Sequence, residues 1–239
     1  MSTPLWVVEL AEGFWAEAGG PGPFPRDLRR PVLRALPLAI VLLPGLSIAE
    51  VRQWLEASGI GCFCPEADRR LRACLVARSG GGFIFLDGTD AEDQQRFSLA
   101  HELAHFLRHY WQPRNRAAHR LGAQITEVFD GMRPARFEEQ IAALLAELPL
   151  GLHVHLMGRG ASGVADEVVA TVEEEADQLA FELLAPAALV LRGQPSRADL
   201  ISRLETEFGL PALQAEEYAH RLCPPLADAL LRRLALDRD

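Results

Sequence analysis

The sequence predicts an α+β fold in which a small sheet supports a helix that carries two histidines, and a helical region follows. Patterns typical of strands cluster early in the chain, whereas helical patterns dominate later. The motif HELAH occupies residues 101–105, inside one of the helical patterns. With 239 residues, of which 49% are hydrophobic, the chain can bury one substantial core.

Three elements are predicted in the first 60 residues. Residues 5–17 have the pattern of an amphipathic helix, which the Gly- and Pro-rich stretch 19–25 ends. Residues 38–43 are an apolar run that we interpret as a buried strand. Ser47 is a candidate N-cap, and Glu50 completes a capping box, so a helix is expected to about residue 58.

A hairpin and then the motif-bearing helix are predicted next. The strands are 71–77 and 82–86, joined by the Ser-Gly-Gly sequence at 79–81. Thr89 and Glu92 match a capping box, which marks the start of a helix that should run to about Tyr110. The residues of this helix that should face the core are Phe97, Ala100, Ala104 and Leu107.

The remainder is predicted to be mainly helical. Residues 111–133 are Arg-rich and irregular, and the later elements are a helix at 134–148, a strand at 151–157, and helices at 164–184, 197–208, 212–222 and 225–235. We divide the chain into three regions: an N-terminal helical and extended segment at 1–34, a main domain at 35–190 with an insertion at about 111–163, and a helical C-terminal region at 195–239.

The HELAH motif has the spacing of a zinc site. Residues four apart lie on one face of a helix, so His101 and His105 can bind one tetrahedral metal ion. Glu102 follows the first ligand and can act as general base on a water molecule. The motif therefore predicts one zinc ion per chain and a peptide-hydrolysing site.

Catalytic zinc normally has a third protein ligand and one open position. His109 is on the same face, but in a straight helix it lies about 12 Å of rise beyond the first ligand, and residues 106–108 contain no Gly to break the helix. We therefore interpret His109 as a wall or structural residue. Glu173 lies at the edge of a buried helix face and is the better candidate, with a neighbouring Glu as the alternative.

Three further residues are candidates for the wall of the site. Ser98 precedes His101 by one helical turn, where packing is the simpler explanation. His153 and His155 alternate with apolar residues and therefore share one face of a strand. They could contact substrate or metal, although an exposed or half-buried strand face explains them more simply.

Two segments resemble the ImmA/IrrE-type zinc metallopeptidases. Residues 96–109, RFSLAHELAHFLRH, resemble the zinc helix of that family, and residues 173–186 resemble its E-x-x-A-N-x-F-A-x-x-L-L-M-P segment. The resemblance covers roughly 35–110 and 164–186. It implies a zincin-like minimal metallopeptidase domain with Glu173 as third ligand. Asp177, Leu179 and Ala185 depart from the pattern, and the insertion makes the spacing from His105 to Glu173 unusually long.

The resemblance also implies a substrate, because members of the family cleave helix-turn-helix repressors of phage, mobile-element or stress regulons. We therefore predict a cytoplasmic zinc endopeptidase with a protein partner. The net charge of −9 argues against direct nucleic-acid binding, and the most apolar run, 36–46, is too short for a membrane helix of roughly 20 residues.

Two other functions stay open at this point. The protein could be a zinc-containing module that sequesters a partner without cleaving it, although such a module has no need of Glu102. The zinc could instead be structural, which requires a fourth protein ligand such as His109 or a second Glu.

Overall fold

The computed structural model describes residues 3–60, 67–130, 132–145, 153–158 and 167–224. Four strands form one mixed sheet in the order β1-β3-β2-β4. Strand β1 (Leu38–Leu43) is parallel to β3 (Gly81–Asp87), and β3 is antiparallel to β2 (Leu71–Arg78). Strand β4 (His153–Gly158) is antiparallel to β2, so the predicted insertion contributes a strand to the main sheet.

Helices pack on both faces of the sheet. The described helices are α1 (Leu5–Glu17), α2 (Arg29–Ala35), α3 (Ile48–Ala57), α4 (Glu92–His105), a π-helix (Phe106–Trp111), α5 (Gln112–Leu121), a 3-10 turn (Ala123–Ile125), α6 (Thr126–Phe129), α7 (Phe137–Leu145), α8 (Glu167–Leu184), α9 (Ala187–Val190), α10 (Arg197–Thr206) and α11 (Ala212–Leu222). Among the described residues, no helix combines the length and apolarity needed to span a membrane.

The central strands β2 and β3 are largely buried on both faces of the sheet, as their nearly continuous apolar sequences require. Along β2, Ala73 and Leu75 belong to the main core, which also includes residues of α1, α4, α8, α10 and α11. The alternating residues Cys74 and Val76 belong to a second core beneath α3. This alternation follows from the two-residue period of a strand, and it places α4 and α8 on one face.

Most predicted elements are confirmed, including α1, β1, the β2–β3 hairpin and α11. The predicted N-cap is also confirmed, because the Ser47 hydroxyl accepts a hydrogen bond from the Glu50 amide at the start of α3. The helix expected at 225–235 lies outside the described residues. The division of the chain into three regions stays a prediction.

The capping box at Thr89 is wrong. Helix α4 begins at Glu92 after Ala91, which has no side-chain cap. The Thr89 hydroxyl donates instead to Asp87, and Asp87 also accepts bonds from the amides of Gly45 and Leu46. The buried Asp87 carboxylate, which joins two turns, therefore binds the Thr89 hydroxyl, and Thr89 does not cap the helix.

The region expected to be irregular, 111–133, is mainly helical between residues 111 and 129. The π-helix continues α4 without interruption into α5, and a short 3-10 turn leads into α6. Asp130 at the end of α6 accepts two hydrogen bonds from Arg114 and one from the Tyr110 hydroxyl. The tertiary ion pair therefore organises a segment whose local pattern is weak.

We predict that Asp87→Ala destabilises the fold by about 2–4 kcal/mol, because it leaves several amide donors without their charged acceptor. Urea unfolding followed by circular dichroism measures this loss. Glu56→Ala, at an exposed position of α3, is the control and should change the unfolding free energy little. Equal stabilities of the two variants would show that Asp87 does not hold the turns.

Candidate metal centre

Helix α4 places two imidazoles side by side in the interior. The side chains of His101 and His105 are 3% and 0% exposed. Their Nε2 atoms lie 3.1 Å apart, because residues four apart occupy the same face of a helix. Both nitrogens face α8.

Helix α8 brings a carboxylate to these nitrogens. Glu173 Oε2 lies 3.3 Å from His101 Nε2, and Oε1 lies 3.7 Å from His105 Nε2. The two helices are in contact, and each contributes small buried side chains to the main core, among them Ala104 of α4 and Ala176 of α8. Small residues at a helix contact allow a short interaxial distance, which brings Glu173 within reach of both imidazoles.

Strand β4 contributes a fourth donor, His155. In the sheet His155 pairs with Leu75, whose side chain belongs to the main core, so the imidazole faces α4. His155 Nε2 lies 2.8 Å from Glu173 Oε1, and its Nδ1 lies 3.0 and 3.1 Å from the two Glu102 oxygens. Among the candidate wall residues, His155 therefore lies at the centre of the site. The side chain of His153 is outside the described part of the chain.

The four donor groups fit a tetrahedral metal ion. One ligand atom each from His101, His105, His155 and Glu173 lies within 4.8 Å of the other three. Zinc bonds of about 2.0–2.1 Å imply donor separations of about 3.3 Å in a tetrahedron. Several measured separations are close to this value. These residues can therefore hold one metal ion, with Glu102 beside it.

Asp177 fixes the orientation of one imidazole. Its Oδ1 atom lies 2.9 Å from His101 Nδ1, and a carboxylate can only accept, so Nδ1–H is the donor. His101 Nε2 then keeps its lone pair for the metal. From the sequence, Asp177 was noticed only as a departure from the family's Asn. Its spacing of one helical turn from Glu173 is the signal that points to this role.

The pKa values reflect how many carboxylates meet in this small volume. Burial alone lowers the pKa of His101, but Asp177 and Glu173 outweigh burial and raise it to about 9. Burial likewise opposes the charge of His155, yet Glu102 and Glu173 raise its pKa to about 10. Burial dominates at His105 and holds its pKa well below 6.5. A divalent cation bound here would replace a proton on His101 and a proton on His155. Its positive charge would pair with the same carboxylates.

Neither His109 nor Ser98 belongs to the group of four donor residues. The His109 ring centroid is 5.4 Å from that of His105, and its Nε2 lies 3.9 Å from Glu175 Oε2. Burial lowers the pKa of His109. The π-helix begins directly after His105 and contains His109, so the helix geometry does change here although no Gly is present. Ser98 is buried and accepts a hydrogen bond from Gln94.

The Tyr110 hydroxyl, in the π-helix that follows His105, is engaged away from the donor cluster. The hydroxyl donates to Asp130 and accepts from the Gly80 amide. Burial raises the pKa of Tyr110 to about 12. Its role in the described structure is therefore to join the π-helix to the β2–β3 turn.

The family comparison bears on the part of the site that α4 carries. Residues 66–128 match the model of the Peptidase M78 family, described as the IrrE N-terminal-like domain. The resemblance to the ImmA/IrrE-type family is confirmed. The match includes the HELAH helix of this M78-like segment, and it ends before β4 and α8. No curated protein and no solved structure shows a significant match.

The donor cluster, and not a large cavity, marks the candidate site. A cavity of about 660 Å³ lies between α1 and the end of α8, lined in part by Trp15, Arg26 and Glu182. None of the four donor residues lines that cavity. The convergence of imidazoles and carboxylates on one point carries the assignment, because ordinary apolar clefts lack it.

We predict that Glu173→Gln strongly lowers metal content, because an amide is a weaker and uncharged ligand. Elemental analysis of purified protein should give about one zinc per chain for the wild type and much less for the variant. Glu174→Gln is the matched control, since Glu174 is the next residue and pairs with Arg221. A larger loss in Glu174→Gln would assign the ligand to the neighbour.

We predict that Asp177→Ala weakens zinc binding about 10- to 100-fold, because His101 loses the partner that orients it. Asp177→Asn should lose less, since its amide oxygen can still accept from Nδ1–H. Competition with a chromophoric chelator measures the affinity. Glu217→Ala is the control. Asp177 and Glu217 both contact Arg221, but of these two carboxylates only Asp177 contacts His101 in the described structure. Wild-type affinity in Asp177→Ala would rule out this positioning role.

Proposed function

We propose that this protein is a cytoplasmic, zinc-dependent endopeptidase that cleaves one specific partner protein, a helix-turn-helix transcriptional repressor. The family match supports a metallopeptidase-type enzyme. The finer statements rest on the geometry of the donor cluster and on the family resemblance. In this proposal His101, His105 and Glu173 hold the zinc ion, and Glu102 is the general base.

The observation that carries the proposal is the position of Glu102. Its carboxylate is fully buried, and a single imidazole ring, that of His155, links it to Glu173 in the donor cluster. A general base must lie within hydrogen-bond reach of the water whose proton it takes. A buried carboxylate one residue from a donor histidine supports this role for Glu102 when His155 does not hold its oxygens.

The chemistry divides between the metal and the protein. When bound, zinc supplies a Lewis acid that makes water nucleophilic near neutral pH. Glu102 accepts a proton from the attacking water as the new carbon–oxygen bond forms at the peptide carbonyl. The same carboxyl then donates that proton to the amide nitrogen as the carbon–nitrogen bond breaks. Asp177 keeps His101 oriented throughout.

The proposed substrate is consistent with the charge of the chain. DNA-binding proteins are usually basic, because phosphate contacts supply much of their affinity. This chain carries a net charge of −9, which favours encounters with a basic partner over encounters with nucleic acid. The choice of a repressor itself comes from the family resemblance.

A non-catalytic binding module is the second candidate. One observation favours it: both Glu102 oxygens lie within 3.1 Å of His155 Nδ1. A carboxylate held in this way can serve structure alone. The module would then sequester its partner through the surface around the metal.

We predict that Glu102→Gln lowers peptide cleavage by at least about 100-fold, the contribution typical of a general base, while zinc content is kept. Cleavage of candidate repressors is followed by mass spectrometry, with Glu92→Gln in the first turn of α4 as the control. If Glu102→Gln still induces the repressed genes in cells, the binding module is the better description.

A further inference from the structure

We propose that His155 is a fourth protein ligand of the metal and that strand β4 thereby closes the metal centre. This inference rests on the zinc site of the proposed function. It goes further, because it assigns a regulated, closed state to that site. Opening requires His155 to withdraw from the ion.

The contacts of His155 are those of a ligand and not of a distant wall residue. Its side chain is only 13% exposed, and its Nε2 atom lies 2.8 Å from Glu173 Oε1. Its ring lies against that of His105, with centroids 3.6 Å apart and an angle of 22° between the planes, so the two rings would move apart as both bind a tetrahedral ion. Its ligand atom belongs to the same group of four that lie within 4.8 Å of one another.

The other nitrogen of His155 holds the proposed base. Because the Glu102 carboxylate can only accept, Nδ1–H donates to it over 3.0–3.1 Å. Metal-bound histidines commonly donate their second N–H to a carboxylate, which orients the ring. In this arrangement Glu102 supports a ligand and cannot take a proton from water. One side chain therefore blocks both the open metal position and the base.

Coordination chemistry gives the consequence. Structural zinc has four protein ligands, whereas catalytic zinc keeps one position for water or substrate. With His101, His105 and Glu173 already present, His155 completes the sphere. The structure thus corresponds to the closed state of a site whose remaining residues suit catalysis.

The position of β4 makes reversible closure feasible. Within the described ranges β4 pairs only with β2 and is an edge strand of the sheet. Its ladder is irregular between Leu71 and Ala73, near Gly158. An edge strand can be replaced by another extended segment that offers the same backbone hydrogen bonds. An extended partner segment that pairs with β2 would remove His155 from the ion.

The test counts imidazoles at the metal in the full-length zinc protein. X-ray absorption at the zinc edge should give three imidazoles for the wild type and two for His155→Ala. His155→Gln retains much of the side-chain volume and guards against misfolding, which circular dichroism monitors. His119→Ala, at an exposed position of α5, is the control and should keep three imidazoles.

A second readout probes the open position directly. In the cobalt-substituted protein, acetohydroxamate should leave the visible spectrum of the wild type and of His119→Ala unchanged. It should shift the spectrum of both His155 variants, which gain a free position. Zinc affinity of the two His155 variants should fall by at least roughly 10- to 100-fold, the loss seen when a residue that only orients a ligand is removed. Cleavage of a substrate by these variants should increase.

The two proposals fail in different ways. Two imidazoles in the wild type, with equal hydroxamate responses in wild type and variants, would overturn closure by His155 and leave the endopeptidase standing. Three imidazoles together with cleavage that falls in the variants would make His155 a ligand without a closing role, which also overturns the inference. A wild type that binds no zinc would overturn both proposals.

Discussion

The burial of ionisable groups between α4 and α8 is the constraint around which the site is built. A buried charge is costly unless it is paired and hydrogen-bonded. Helix α4 buries His101, Glu102 and His105 almost completely, and the neighbouring elements supply partners for them. Helix α8 provides Glu173 and Asp177, while β4 provides His155.

This constraint gives β4, in the predicted insertion, a place in the main sheet. Strand β4 carries His155, whose ring is a partner of the buried Glu102 carboxylate. Pairing with β2 in the observed register turns His155 toward α4, and a shift by one residue would turn it to the opposite face. The strand register is therefore tied to the electrostatics of the helix below it.

The sequence predicted the local elements better than the pairings between them. The Ser47 cap and the β2–β3 hairpin depend on neighbours in sequence, and both are present. Thr89 was misassigned because Asp87, a tertiary partner of Gly45, takes its hydroxyl. Helices α5 and α6 were missed because the Arg114–Asp130 pair organises them.

The candidate site divides along the same line. The spacing within HELAH is enough to place His101, Glu102 and His105 on one helix, and the helical spacing around Glu173 brought it forward. The position of His155 beside the other donors depends on which strand β4 pairs with. The contact between Asp177 and His101 depends on how α8 crosses α4. Neither quantity is present in a single sequence. The fourth member of the group that could hold a metal ion is His155, and neither His109 nor a second Glu belongs to that group in the described residues.

The order of the donors along the chain has a consequence for how the centre can assemble. His101 and His105 are synthesised first, and 67 residues lie between His105 and Glu173. Synthesis at about 5–20 residues per second takes seconds over this length, which is far longer than helix formation. A nascent chain that has exposed only α4 therefore presents two imidazoles and no carboxylate to complete the cluster. The four-donor cluster can form only after α8 has emerged and docked, so a bound metal ion would report that β4 and α8 have joined α4.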